Sequence, residues 1–443
     1  MIASFKHAIF TVIETVAIIG AWIRSPHLVA FAFRLAIREK KNLSSSGHNK
    51  PRLIVLSKPG GLEDVLETFI KKPESYSLAL LSRKMIFGVS SQFLGKGIND
   101  WEYWDCSSAN ENKNDEYKAF LKSVLTILKK KGLISGFIQF NVIYIAERQL
   151  ARACAELNLI FITLHKECMY STAAAVEAAI MIKNRVGKYH GTKFIVYNRR
   201  LADALVTVEF LRRDQVAVTG CPRLDRCHKG RLSNLPKQKL ILMFAIQPDA
   251  GVYHLNYEKS QDNLCSTLPG KNIRKLWETF IPKVNSTFID VAVKNPDKVF
   301  LIKTKPGHDV VQKASFTKNL PPNLSILSSG DSRALIESSA VVVAFNSTVV
   351  LEAVAFGVPT IVPHIFDESD RVAEKYIHET GSAVMYAKST LELEEMILQG
   401  FEAHRELNLT KDATLVLDDL IGNPDGDSSN RFRAELDKIC KNK

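Results

Sequence analysis

The sequence contains no Cys-x-x-Cys pair, no Gly-x-Gly-x-x-Gly or Walker-type phosphate loop, no solenoid repeat and no low-complexity tract. Its seven cysteines, an odd number, are scattered at 106, 154, 168, 221, 227, 265 and 440. That scatter argues against a disulfide framework or a zinc ribbon and fits a reducing, cytoplasmic compartment. Cys221, Cys227 and His228 fall close together, but the pattern offers no fourth ligand, so no metal is expected. Lysines and arginines are dispersed and match no recognised motif, which leaves nucleic-acid binding without support. After residue 40 no long apolar run recurs, so the remainder reads as water-facing globular protein.

What the chain does have is length, apolar material and positive charge. At 443 residues it exceeds one ordinary core, and 46% hydrophobic residues are ample for two domains with appendages. A formal charge of +12 suits an anionic partner: nucleic acid, an anionic membrane or a phosphorylated substrate. Charge alone does not choose among them.

The first segment stands apart. "HAIFTVIETVAIIGAWI" (7–23) is apolar but for Glu14, and a second apolar run reaches residue 37 before "REKK". The first run is shorter than the ~20 residues a spanning helix needs, and it lacks a small-x-small cleavage site. Residues 1–45 therefore read as an apolar helical extension. It either packs on the protein or lies on the inner face of the cytoplasmic membrane. In the second case Lys6, Arg24, Arg34, Arg38, Lys40 and Lys41 would face the head groups. The peripheral membrane placement is the expectation carried forward.

From residue 51 strands and helices alternate. "RLIVLS", "YSLALLSR", "GFIQF", "LIFITLHKE", "KFIVYN" and "QVAVTG" are short β-branched runs separated by helical segments. A basic, turn-rich stretch, "HKGRLSNLPKQK" (228–239), reads as a hinge, after which the pattern restarts with "LILMFAIQP", "KVFLIKTKP", "LSILSS", "VVVAFN" and "PTIVP". The fold class expected is α/β: two doubly wound Rossmann-like domains facing a cleft, at 51–230 and 238–405, with a polar, partly helical tail over 406–443.

The most informative stretch is "AFNSTVVLEAVAFGVPTIVP" (344–363). A buried strand runs into Asn346, Ser347 and Thr348, cap-type residues whose helix N-terminus suits a phosphate. Glu352 lies one turn beyond Thr348 on the same face, where a carboxylate can accept from a ribose diol. Gly357 then closes the helix as its C′ residue. Each piece alone is more often an ordinary capped helix, but a glutamate in an otherwise apolar helix weakens that account. "FLIKTKPGHD" (300–309) adds Lys303 and Lys305, placed by alternation on one face of a strand end, and His308. Two such cations are costly to bury unless an anion joins them. Gln247 ends another strand and can read a base or a sugar hydroxyl.

"NSTVVLEAVAFGVPTIVP" resembles the nucleotide-binding segment of GT-B glycosyltransferases, in which Ser/Thr contact the diphosphate and a Glu holds the ribose. "VAVTGCPRLDRCHK" (216–229) is similar to the turn that closes the N-terminal domain in bacterial surface-carbohydrate transferases. That group takes in capsule and lipopolysaccharide glycosyltransferases and the CDP-glycerol glycerophosphotransferases. The resemblance covers roughly residues 51–400 and specifies no sugar. It implies donor-side roles for Asn346, Ser347, Thr348, Glu352, Lys303, Lys305, His308, Gln247 and Arg223, although K-P-G-H departs from the family's K-x-H-P order. On the acceptor side, "ITLHKECMYS" places His165 and Glu167 after a buried strand as candidates to take an acceptor proton. Gly60 and Gly61 form an acceptor-side loop.

The function expected is metal-independent transfer of a sugar from a nucleotide-activated donor to a surface-polysaccharide or lipid-linked glycan acceptor, with no cofactor beyond that substrate. Polyol-phosphate transfer from a CDP-linked donor, a UDP-sugar 2-epimerase and a non-catalytic membrane-associated assembly protein are the alternatives. The Asn-Ser-Thr loop argues against the epimerase, whose family carries a Gly-rich loop with paired acids before its ribose glutamate. The Asp-x-Asp in "PDGD" (424–427) follows no buried strand and reads as a turn.

Overall fold

The computed structural model describes residues 2–39, 50–58, 62–68, 75–95, 108–231, 239–247, 250–251, 270–305, 316, 320–366, 374–403 and 408–441. Gly60, Gly61 and His308 lie outside the described residues. The chain divides into two compact units. Unit 1 comprises Met1–Cys168, Ala178–Arg223 and Ser429–Lys443; unit 2 comprises Met169–Glu177 and Leu224–Ser428.

Unit 1 opens with two apolar helices, α1 (Ile2–Trp22) and α2 (Pro26–Ala36). Between them Ser25 accepts from the Leu28 N–H, and Pro26 occupies the first turn of α2, where a missing donor costs nothing. The helices approach closely because Gly20 has no side chain. A Cβ there would lie 3.0 Å from Val29 Cγ2.

There follow β1 (Arg38–Glu39), β2 (Arg52–Ser57), α3 (Leu62–Thr68), β3 (Ser77–Ser82), α4 (Arg83–Leu94), α5 (Ser108–Lys130) and β4 (Gly136–Gln139). Then come α6 (Ile145–Glu156), β5 (Ile160–Leu164), α7 (Thr172–Val186), β6 (Lys193–Val196), α8 (Arg199–Thr207) and β7 (Val216–Val218). The first residues of α7 are assigned to unit 2. The seven strands lie in the order β1-β3-β2-β4-β5-β6-β7, parallel except for the edge pair β1–β3. All five residues of β5 are buried, as expected of a parallel strand covered on both faces. Ala17, Ala21, Val29 and Phe33 belong to the same core as Ile54, Leu81, Tyr117 and Leu121, so one side of the α1–α2 pair is part of unit 1.

Unit 2 is built from α9 (Asp225–Arg231), β8 (Leu240–Phe244), α10 (Gly270–Lys294), β9 (Val299–Lys303), β10 (Leu324–Leu327), α11 (Ser332–Glu337) and β11 (Ser339–Val343). After these come α12 (Thr348–Phe356), β12 (Thr360–Pro363), β13 (Met385–Ala387), α13 (Thr390–Glu402) and α14 (Lys411–Ile421). The chain ends in α15 (Ser428–Lys441), nearly all of which is assigned to unit 1. The six strands run parallel in the order β10-β9-β8-β11-β12-β13. The mixed α/β class and the two largely parallel sheets are those expected from the alternating pattern.

Each sheet has a point where the strand order reverses: between β2 and β4 in unit 1, and between β8 and β11 in unit 2. Loops leaving the carboxyl ends of those strand pairs diverge and open a crevice, the usual ligand position in such sheets.

Phe33 is fully buried in the core shared by α2 and the sheet helices. Phe33→Ala should therefore cost about 3–5 kcal/mol. In a thermal melt the unit 1 transition should move down by several degrees; an unchanged midpoint would mean that α2 does not belong to that core.

Candidate functional site

In unit 2 the reversal point is held open by an asparagine. Asn346 follows β11 and adopts a left-handed backbone (φ 47), a conformation Asn tolerates better than most residues. Its Nδ2 donates to the carbonyls of Ala250 (3.0 Å) and Tyr376 (2.9 Å), and its Oδ1 accepts from the His378 N–H (2.9 Å). Gly251, at φ +74, permits this approach, since a Cβ there would sit 1.9 Å from Asn346 Nδ2. The Ala250 carbonyl also accepts from Trp277 Nε1 at 3.0 Å. Trp277 is fully buried, its ring centroid 5.0–5.8 Å from those of Phe280, Phe345 and Phe366. In place of the expected donor contact the structure gives Asn346 a scaffold role, its amide being committed to three backbone groups of two other loops.

That clamp presents Ser347 and Thr348. Ser347 is the N-cap of α12, yet its side chain makes no capping hydrogen bond, and both residues are half-buried. Glu352 is buried one turn further on. The helix ends at Gly357 in the left-handed region (φ 71), as its C′ position requires. Across the reversal point, Gln247 follows β8 and its Nε2 is buried with no hydrogen-bond partner among the described residues. A donor left without a partner costs about 1–3 kcal/mol, a cost that a ligand acceptor would remove.

The two lysines separate. The expectation that Lys303 and Lys305 share a face fails because β9 ends at Lys303, so strand alternation does not reach Lys305. Lys303 is buried, its Nζ donating to the carbonyls of Thr304 (2.8 Å) and Ser328 (3.2 Å), and burial lowers its pKa. Lys305 is exposed.

Unit 1 gathers a different set at the carboxyl ends of its strands. His165 follows β5 and is 1% exposed, with Phe194 at 5.2 Å and no partner for either ring nitrogen among the described residues. Burial pushes its pKa down to about 4; the nearby Glu167 opposes that shift and Lys166 adds to it. The imidazole is thus neutral at pH 7 and, enclosed as it is, a weak base. Glu167 is half-buried, 3.5 Å from Lys166 Nζ.

Other residues of this cluster were not singled out from the sequence. Asp64, fully buried on α3, accepts from the Tyr197 hydroxyl at 2.7 Å and lies 3.8 Å from Arg223 Nε. Arg223, which the resemblance placed on the donor side, is the last residue of its segment in unit 1 and approaches Asp64 there. Burial and the Asp64 charge both raise the Tyr197 pKa. Lys58, after β2, meets the Tyr144 hydroxyl and stands 4.0 Å above that ring. Arg83, after β3, stacks on the same ring at 4.0 Å and pairs through two nitrogens with the buried Glu147. The available signal was position: Lys58, Arg83 and Tyr144 each come shortly after a buried strand. Asp64 gave none, since "LEDVLE" reads as a solvated acidic face.

No group of His, Cys, Asp and Glu among the described residues has an arrangement that could hold a metal ion. Asp425 accepts from the Asp427 N–H in a turn before α15.

The chain matches no protein-family model, and no curated protein matches it either. Solved structures do. A Listeria monocytogenes protein, provisionally described as a UDP-N-acetylglucosamine 2-epimerase, superposes with a TM-score of 0.50 at 11% identity, over 89% of this chain and 98% of that one. The Neisseria meningitidis UDP-GlcNAc 2-epimerase gives 0.48 at 14% identity over 88% and 100%. A wall teichoic acid polymerase, TagF, gives 0.49 at 11% identity over 97% of both chains. At this identity the Listeria likeness establishes the fold: two Rossmann-like units of the GT-B class.

Two measurements follow. His165 has a folded pKa below the ordinary imidazole value, so it favours the folded state fully above about pH 6.5 and loses that contribution as pH falls toward 4. Unit 1 should lose up to about 3 kcal/mol over that window, at about 1.4 kcal/mol per pKa unit. His165→Phe should flatten the urea-midpoint profile there; an unaltered profile would show that the imidazole is not buried neutral. In unit 2, Asn346→Ala strands the Tyr376 carbonyl and the His378 N–H, while the Ala250 carbonyl keeps Trp277 Nε1, and should cost about 2 kcal/mol or more, read as a lowered melting transition.

Proposed function

We propose that the chain is a glycosyltransferase that uses a nucleotide-activated sugar and a glycan or lipid-linked glycan acceptor. The observation that carries this reading is the placement of Ser347, Thr348 and Glu352 at the reversal point of the unit 2 sheet, with Gln247 across it. An uncommitted serine hydroxyl at a helix N-terminus is a diphosphate seat, because free N–H groups and the helix dipole both favour the anion. Glu352 serves the ribose diol, Gln247 the base or a sugar hydroxyl, and Lys305 balances the charge of the leaving diphosphate. Asn346 and Lys303 hold the loops.

In the reaction the acceptor oxygen bonds the anomeric carbon as the bond from that carbon to the diphosphate breaks, and the acceptor proton passes to a base. Between the two candidates Glu167 suits the task better, being half-buried beside Lys166, whereas His165 is enclosed and weakly basic. Asp64 fixes the Tyr197 hydroxyl at 2.7 Å. A nucleotide-sugar 2-epimerase is the second reading, favoured by the fold shared with the Listeria protein. It would use the same nucleotide seat and need no acceptor.

Calorimetric titration of the purified chain with UDP, GDP, dTDP, CDP, ADP and CMP tests the seat. One diphosphate should bind selectively, and Glu352→Gln should weaken it at least tenfold, about 1.4 kcal/mol, without changing the melting transition. If no nucleotide binds, the reading fails. With the selected nucleotide sugar, Glu167→Gln should abolish transfer and spare donor affinity; an isomerised sugar nucleotide formed without acceptor would instead identify the epimerase.

A further inference from the structure

The α1–α2 pair turns one side to the core of unit 1 and the other to solvent, and the solvent side is apolar. On α1, Ile9, Val12, Ile19 and Trp22 are all exposed, Val12 at 62% and Trp22 at 71%. At 100° per residue these four fall within an arc of about 140°, one broad face along the helix. Every exposed residue from Ala8 to Trp22 is uncharged, the other exposed ones being Ala8, Thr11 and Thr15; Glu14 is half-buried. Phe31 and Leu35, one turn apart on α2, are also exposed. A water-facing helix ordinarily carries charge on its outer side, and a contiguous apolar strip of this length marks a contact surface.

The surroundings say what kind of partner fits. Arg34 is exposed between Phe31 and Leu35, and it has no acidic partner among the described residues. Arg38 and His27 are exposed at the ends of α2, and Arg24, at the turn, is 43% exposed and pairs with Glu116 at 2.8 Å. Glu39, a second exposed acid nearby, is paired with Arg52 at 2.6 Å. Apolar side chains flanked by cations, with a tryptophan at the helix end, match the boundary between acyl chains and anionic head groups. The chain's +12 charge adds attraction to such a surface. No helix among the described residues is long and apolar enough to cross a membrane, so the pair would lie in the plane of the interface.

We infer that the outer face of α1 and α2 docks this chain on an anionic lipid bilayer. The docking rests on these surface residues alone and is independent of the nucleotide seat. Flotation of the full chain with phosphatidylcholine vesicles containing phosphatidylglycerol should recover protein with the lipid, at least tenfold more than with pure phosphatidylcholine. Val12→Asp and Trp22→Asp, both at exposed positions, should each lower recovery at least tenfold while keeping the melting transition. Arg34→Glu should lower recovery on anionic vesicles only. The inference is overturned by failure to float with either vesicle, or by recovery that both aspartate variants leave unchanged. It is equally overturned by a lipid-free dimer, seen by light scattering, that Trp22→Asp dissociates, since the face would then bind a second copy.

Discussion

The candidate seat in unit 2 depends on one amide. Asn346 joins the loops after β8, after β11 and before β13, and it does so with every strong hydrogen-bonding atom of its side chain. The task selects the residue type. Aspartate would present oxygens to two carbonyls, leucine would leave the Tyr376 carbonyl and the His378 N–H unpaired, and glutamine tolerates a positive φ less well. Trp277 braces the same point from below by donating to the Ala250 carbonyl, and the Phe280, Phe345 and Phe366 rings fix the indole. The direction in which Ser347 and the first turn of α12 face follows from this arrangement. The candidate nucleotide contact is thus placed by a neighbour that is itself unavailable to ligand.

That division explains why the sequence was legible to one level and opaque at the next. "VVVAFNST" announces a buried strand entering a capped helix, and chemistry confined to consecutive residues can be read from consecutive residues. The partners of Asn346 lie 30 to 96 positions away, and no local pattern encodes them. Lys303 and Lys305 show the converse error: strand alternation is a sound rule only while the strand lasts, and β9 stops at Lys303. Asp64 was illegible for a third reason. A carboxylate in a short acidic helix is nearly always solvated, and only the fold brings Tyr197, 133 residues away, to its oxygen.

The N-terminal pair gives a fourth case. Its length and apolar character were evident, but periodicity could not decide which side the protein covers, because both sides are apolar. Gly20 of α1, facing Val29 of α2, and Gly88 of α4, facing Ile18 of α1, settle the covered side, since a Cβ at either would lie 3.0–3.1 Å from those side chains. What remains exposed is therefore a product of packing geometry and not of composition.

The two units treat buried polarity differently, and the difference bears on their roles. Unit 2 buries neutral amides and carbonyls around Asn346, which rigidify loops, beside one carboxylate, Glu352, and one lysine, Lys303. Unit 1 buries two carboxylates, Asp64 and Glu147, near Arg223 and Arg83, and encloses an imidazole with no partner for its ring nitrogens among the described residues. Desolvating such groups costs several kcal/mol each before pairing returns part of it, and well-packed apolar residues of similar volume are often as stable or more so. A fold needing only stability has little use for this arrangement at the carboxyl ends of its strands. Charge and hydrogen-bonding groups concentrated there are what proton transfer requires. The proposed placing of the proton acceptor in unit 1 thus rests on electrostatics, separate from any likeness of fold.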